Sequence, residues 1–68
     1  SSPAAIMSRL EAAMQRRDYR AALALLEQLP APMRDAAAPV GAELRLHADA
    51  DALIAELRAR ALTDSAAT

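Results

Sequence analysis

Residue types that usually stabilise a very small domain are scarce in this 68-residue sequence. It has no cysteine, which excludes disulfide bonds, and it has a single histidine. Phenylalanine and tryptophan are absent, and tyrosine and glycine occur once each. A β-sheet draws on aromatic and β-branched residues, and a phosphate-binding loop needs several glycines. Neither structure is expected here.

The charges give no sign of a nucleic-acid partner. All eight basic residues are arginine, and nine acidic residues balance them to a net charge of −1. A mixed surface of this kind creates no basic field that would attract phosphates. No stretch approaches the roughly 20 apolar residues of a membrane-spanning helix. Because the sequence begins without methionine, we interpret it as a fragment of a longer protein.

The residues that are abundant predict an all-α fold. Alanine fills 20 positions and leucine 10, and with glutamate and arginine they make up most of the chain. Apolar residues recur at helical spacing over about 3–16, where Ser2 and Pro3 provide a helix start, and over about 19–29, where Asp18 does. A turn this short joins two helices into an antiparallel αα-hairpin.

Prolines organise the second half of the chain. Pro30 ends the hairpin, Pro32 opens a short segment over about 32–38, and Pro39 interrupts it with a kink or a new helix start. A long amphipathic helix is predicted over about 40–62, followed by a polar, frayed tail. The chain is therefore expected to be one small helical module: an αα-hairpin, a proline-hinged segment and a long amphipathic helix.

The long helix has more apolar surface than one hairpin can cover. Its predicted apolar face has Leu44 and His47 at the edge, and we expect its second half to bind a second copy of the chain or another helical protein. The predicted interface residues are Leu46, Leu53, Ile54 and Leu57.

A second interpretation places the activity in the first helix. Interfacial helices combine an apolar face with basic residues, and so bind anionic membrane surfaces. The candidate membrane contacts are Ile6, Met7, Leu10, Met14, Arg16 and Arg17. The same apolar residues at helical spacing also fit an ordinary core, which we consider the better interpretation.

Catalytic and metal chemistry have little support in the sequence. His47 and Asp51 lie one helical turn apart, but two ligands fall short of the three or four usual for zinc. There is no cysteine nucleophile and no serine near a histidine base. We therefore expect no enzyme activity, no cofactor, no metal and no small-molecule substrate.

The order of the segments resembles a known family. The stretch AAIMSRLEAA at 4–13 is followed by RDYRAALALLEQLP at 17–30, then RDAAAPV at 34–40 and a long helix over 42–62. This order is similar to the C-terminal mitofilin domain in its alphaproteobacterial form. The hairpin also resembles tetratricopeptide-type hairpins, so a fragment of a peptide-binding adaptor is a further alternative.

The mitofilin resemblance implies a membrane-shaping scaffold. The parent protein would be anchored in a bacterial inner membrane and organise intracytoplasmic membranes, or crista junctions in the mitochondrial family. This module would lie on the periplasmic or intermembrane-space side. It would act by homo-oligomerisation or by binding a small helical protein.

Overall fold

The fold is all-α, as the composition predicts. The computed structural model describes residues 2–67, and side chains through residue 65. Its helices are α1 (Pro3–Gln15), α2 (Tyr19–Glu27), α3 (Ala31–Ala36) and α4 (Ala38–Ala67). No strand occurs among the described residues. The molecule is elongated, with principal extents of 53 × 19 × 15 Å, because α4 extends well past the hairpin.

The first two helices begin at side-chain caps. Ser2 Oγ accepts a hydrogen bond from the Ala5 amide at 3.2 Å, with Pro3 at the first helical position, where an N–H would be unpaired. Asp18 Oδ1 accepts one from the Ala21 amide, also at 3.2 Å. Each cap satisfies an N–H that the helix leaves open, which explains why both helices start where the sequence predicts.

The turn between α1 and α2 depends on a left-handed residue. Arg17 has φ +59°, the only positive φ among the described non-glycine residues. Its amide donates to Met14 O at 3.0 Å, and the Asp18 amide donates to Ala13 O at 2.9 Å. These two bonds form a Schellman motif, which closes the carbonyl end of α1 and turns the chain back on itself.

The core lies between the hairpin and the first part of α4. Its buried residues are Ile6, Leu10, Ala13, Ala22, Leu26, Leu29 and Leu44. Small residues allow the elements to approach closely: a Cβ added at Gly41 would lie 3.0 Å from Leu26 Cδ2. With seven buried residues among those described, the core is small for an independent domain.

Pro39 lies in the first turn of α4, which is one of the two arrangements expected for it, and its missing N–H costs no helical hydrogen bond there. The boundaries in the second half differ from expectation at two places. Helix α4 begins at Ala38 and not at about residue 40, so only Ala37 separates α3 from α4. The predicted frayed tail instead continues α4 to Ala67, and Thr63 Oγ1 donates to the Ala59 carbonyl one turn earlier. Thr68 lies outside the described residues.

Candidate functional site

Helix α4 has two apolar faces, and the hairpin covers only one. Leu44 is buried against the hairpin, and Gly41 and Ala48 lie partly buried on the same side. At 100° per residue, Leu46 and Leu53 lie about 180–200° around the helix from Leu44. The predicted apolar face therefore points away from the hairpin.

The expectation for Leu44 was wrong. The sequence interpretation placed Leu44 at the edge of the apolar face and Leu46 within it, yet Leu44 is 3% exposed and Leu46 is 70% exposed. The face that packs on the hairpin is made mostly of alanine and glycine, whose small side chains allow α4 to lie close to α2. Such a face is harder to identify in a sequence than a row of leucines at helical spacing.

The four predicted interface residues lie on the exposed surface. We call Leu46, Leu53, Ile54 and Leu57 the leucine stripe. Leu53, Ile54 and Leu57 are 56%, 46% and 55% exposed. They belong to the projecting half of α4, residues 49–65, in which every side chain is exposed. Leu62 adds a further exposed apolar side chain near the end of this half.

The candidate membrane contacts on α1 divide into two groups. Ile6 and Leu10 are buried in the core, so they are not available to a membrane surface, and this part of the prediction is corrected. Their burial follows from α1 packing its apolar face on α2. Met7 and Met14 are partly exposed beside them. Arg16 and Arg17 are exposed in the turn that follows.

A groove that the sequence did not predict runs beside α1. It has a volume of about 450 Å³ and is bounded by α1, the end of α2, α3 and the first turn of α4. We call it the methionine groove, because it contains all three methionines of the sequence. Its lining residues are Met7, Leu10, Glu11, Met14, Leu26, Leu29, Met33, Ala36, Ala37 and Val40.

Sequence reasoning missed this groove because its members come from four separate elements. Met33 and Val40 are far from Met7 and Met14 in the chain, and they line one groove only because of where α3 and the start of α4 lie relative to α1. Met33, on a six-residue helix, is 39% exposed. The one available signal was compositional, since methionines are unbranched and suit adaptable binding surfaces.

Several polar residues outside these surfaces form structural contacts. Arg34 Nη1 donates to the Glu27 carbonyl at 3.3 Å, which ties α3 to the end of α2. Glu56 and Arg60 form an exposed ion pair of 2.9 Å along α4. His47 stacks on Tyr19. Among residues 2–67, no three histidine, cysteine or acidic side chains are grouped so as to hold a metal ion.

The helices of the described chain are not long and apolar enough for any of them to cross a membrane. Two surfaces of the described residues are apolar and uncovered: the leucine stripe of α4 and the methionine groove. No protein-family model, curated protein or solved structure matches the chain.

Proposed function

We propose that this chain is a non-catalytic association module that works through the leucine stripe of α4. The observation that carries this proposal is the projecting half of α4, which bears exposed leucine and isoleucine and has no cover from its own chain. In proteins most helical stability comes from packing an amphipathic face, and the projecting half receives no such packing from its own chain. Packing its apolar side on another helix supplies the missing stabilisation.

The context that we propose is a mitofilin-like membrane-shaping scaffold. The support is the resemblance of the chain, from about Ser2 to Leu62, to the C-terminal mitofilin domain, together with an all-helical structure that exposes an apolar face. In this proposal a longer parent protein is anchored in the inner membrane, and the module meets its partner on the periplasmic side. The partner is a second copy of the module or another helical protein.

Sedimentation equilibrium of the chain with Leu53→Asp tests the stripe. A carboxylate at the centre of an apolar contact must be desolvated, so we expect the dissociation constant to rise at least about tenfold. Ala55→Asp is the matched control, because residue 55 lies about 200° around the helix from residues 53 and 57. This control should have the same dissociation constant as the unsubstituted chain.

Two results would each overturn one part of the proposal. If the Leu53→Asp chain and the unsubstituted chain have the same dissociation constant, the leucine stripe is not the contact. If the unsubstituted chain stays monomeric at every concentration, self-association is excluded. The partner would then be a different helical protein.

Cell fractionation tests the scaffold context separately. With an antibody raised against this chain, the parent protein should be found in inner membranes. Protease should reach the epitope only after the outer membrane is opened. Recovery in the cytosolic fraction would overturn the membrane-scaffold proposal without affecting the association test.

Vesicle flotation distinguishes the alternative in which α1 binds membranes. Replacing both arginines of the α1–α2 turn, Arg16→Glu with Arg17→Glu, removes two exposed positive charges. If the alternative were correct, flotation with anionic vesicles would be lost in this variant. We expect little flotation of either chain, since Ile6 and Leu10 are buried.

A further inference from the structure

The methionine groove is an apolar site that spans two helical turns. Met7 and Met14 stand seven residues apart on α1, and Met33 faces them from α3. All three are only partly covered, at 38%, 40% and 39% exposure. Grooves of this kind receive the apolar side of an amphipathic helix. Methionine suits such a site because its flexible thioether adapts to the shape of the entering side chains.

We infer that the occupant of the methionine groove is the projecting half of α4 from a second copy of this chain. This inference rests on the proposed self-association and adds the surface that receives the helix. Ile54, Leu57 and Ala61 recur at helical spacing over two turns, which matches the two turns from Met7 to Met14.

One ion pair is available between the two surfaces. Among the described residues, Glu11 is the only charged residue that lines the groove, and it lies between Met7 and Met14 on α1. On the projecting half, Arg58 follows Ile54 by one helical turn and is exposed beside the apolar side chains. A helix seated in the groove can therefore bring an arginine to the single carboxylate at its edge.

The chain cannot fill its own groove. Helix α4 is unbroken from Ala38 to Ala67, and Val40 in its first turn forms part of the groove wall. Residues 54–61 lie about 20–30 Å farther along the same rod, because each helical residue advances 1.5 Å. Only another molecule can supply them.

Reciprocal exchange closes the assembly. Each chain offers one groove and one projecting helix, so two chains related by a two-fold axis satisfy both surfaces at once. The two α4 helices then run antiparallel. With Leu57 of one chain beside Val40 of the other, the axis passes near residues 48 and 49, within one helical turn of Leu46 at the start of the leucine stripe.

Disulfide trapping tests the arrangement cleanly, because the chain contains no cysteine of its own. Chains carrying Met33→Cys are mixed with mass-tagged chains carrying Leu57→Cys and oxidised with diamide. We expect the mixed dimer to exceed both same-variant dimers several-fold, since a disulfide forms only where two Cβ atoms approach closely. Chains with Ala24→Cys, an exposed position on α2 outside the groove, serve as the control partner for Leu57→Cys.

The outcomes separate this inference from the proposed function. If Leu57→Cys chains join only one another, the stripes pair directly, and the groove assignment falls while self-association stands. If no pair cross-links and the unsubstituted chain is monomeric, the groove assignment and self-association both fall, while binding to a different helical protein stands. The helicity of each variant is first compared with that of the unsubstituted chain by circular dichroism. Met7→Cys replaces Met33→Cys if the latter loses helicity, and Met33→Glu should raise the dissociation constant about tenfold.

Discussion

The phenol ring of Tyr19 stacks on the imidazole of His47, with 4.6 Å between ring centroids and 18° between ring planes. These are the only aromatic residue of the Phe, Trp and Tyr class and the only histidine in the sequence. Tyr19 opens α2 and His47 lies on α4, so the contact joins two elements that are distant in the chain. It marks the point beyond which α4 leaves the hairpin.

We expect the stacked pair to stabilise the docking of α4. A double-mutant cycle with Tyr19→Leu and His47→Ala should give a coupling free energy of about 0.5–1.5 kcal/mol, the usual range for stacked rings. Urea unfolding of the four chains, followed by circular dichroism, provides the measurement. Strictly additive effects of the two substitutions would show that the contact contributes no stability.

Leu44 and Leu46 form a matched pair for testing which face of α4 packs. Leu44→Ala should cost about 2–4 kcal/mol, because it opens a cavity in a small core. Leu46→Ala should change the unfolding free energy of the monomer by less than about 0.5 kcal/mol, because the side chain is exposed. Urea titrations at the lowest workable concentration check both values. Similar losses in the two variants would contradict the helix orientation.

Arg17→Gly should stabilise the chain. The φ of +59° is unfavourable for a residue with a Cβ but ordinary for glycine, so relief of about 0.5–1 kcal/mol is expected. Arg17→Val is the opposing control, since a β-branched residue tolerates this conformation least. Thermal unfolding should rank the chains glycine above arginine above valine at residue 17. Any other ranking would dispute the Schellman turn.

Gly41 allows α4 to approach α2. Gly41→Ala should be nearly neutral, because a helix-propensity gain of about 1 kcal/mol offsets the small shift of Leu26 that a new Cβ requires. Gly41→Leu has no such space and should destabilise the chain by about 1–3 kcal/mol. Chemical denaturation of both variants checks the difference. A stabilising Gly41→Leu would show that the helices are not in close contact.

Local signals made the hairpin predictable. Ser2 with Pro3, and Asp18 before Tyr19, are cap sequences whose effect acts within one turn, so they identify helix starts without tertiary information. The end of α2 was predicted less closely: Pro30 suggested residue 29, and α2 stops at Glu27. The last turn tightens there, with the Leu29 amide donating to the Leu26 carbonyl.

Tertiary choices were less predictable. Leucines at helical spacing predict an apolar face, but they do not indicate whether the same chain covers that face. In α4 the hairpin selects Leu44 and Gly41, because small neighbours permit close packing, and leaves Leu46 exposed. The methionine groove likewise depends on where α3 lies relative to α1, which no local pattern encodes.

Because α4 is long, the order of its backbone beyond the hairpin depends on whether a partner is bound. Only the first third of this 30-residue helix contacts the hairpin, and the remainder is held by its own hydrogen bonds. Amide hydrogens from residue 49 onward should therefore exchange with deuterium rapidly in a dilute monomer and slowly once a partner is bound. The projecting half of α4 should therefore become more rigid as the local concentration of its partner rises.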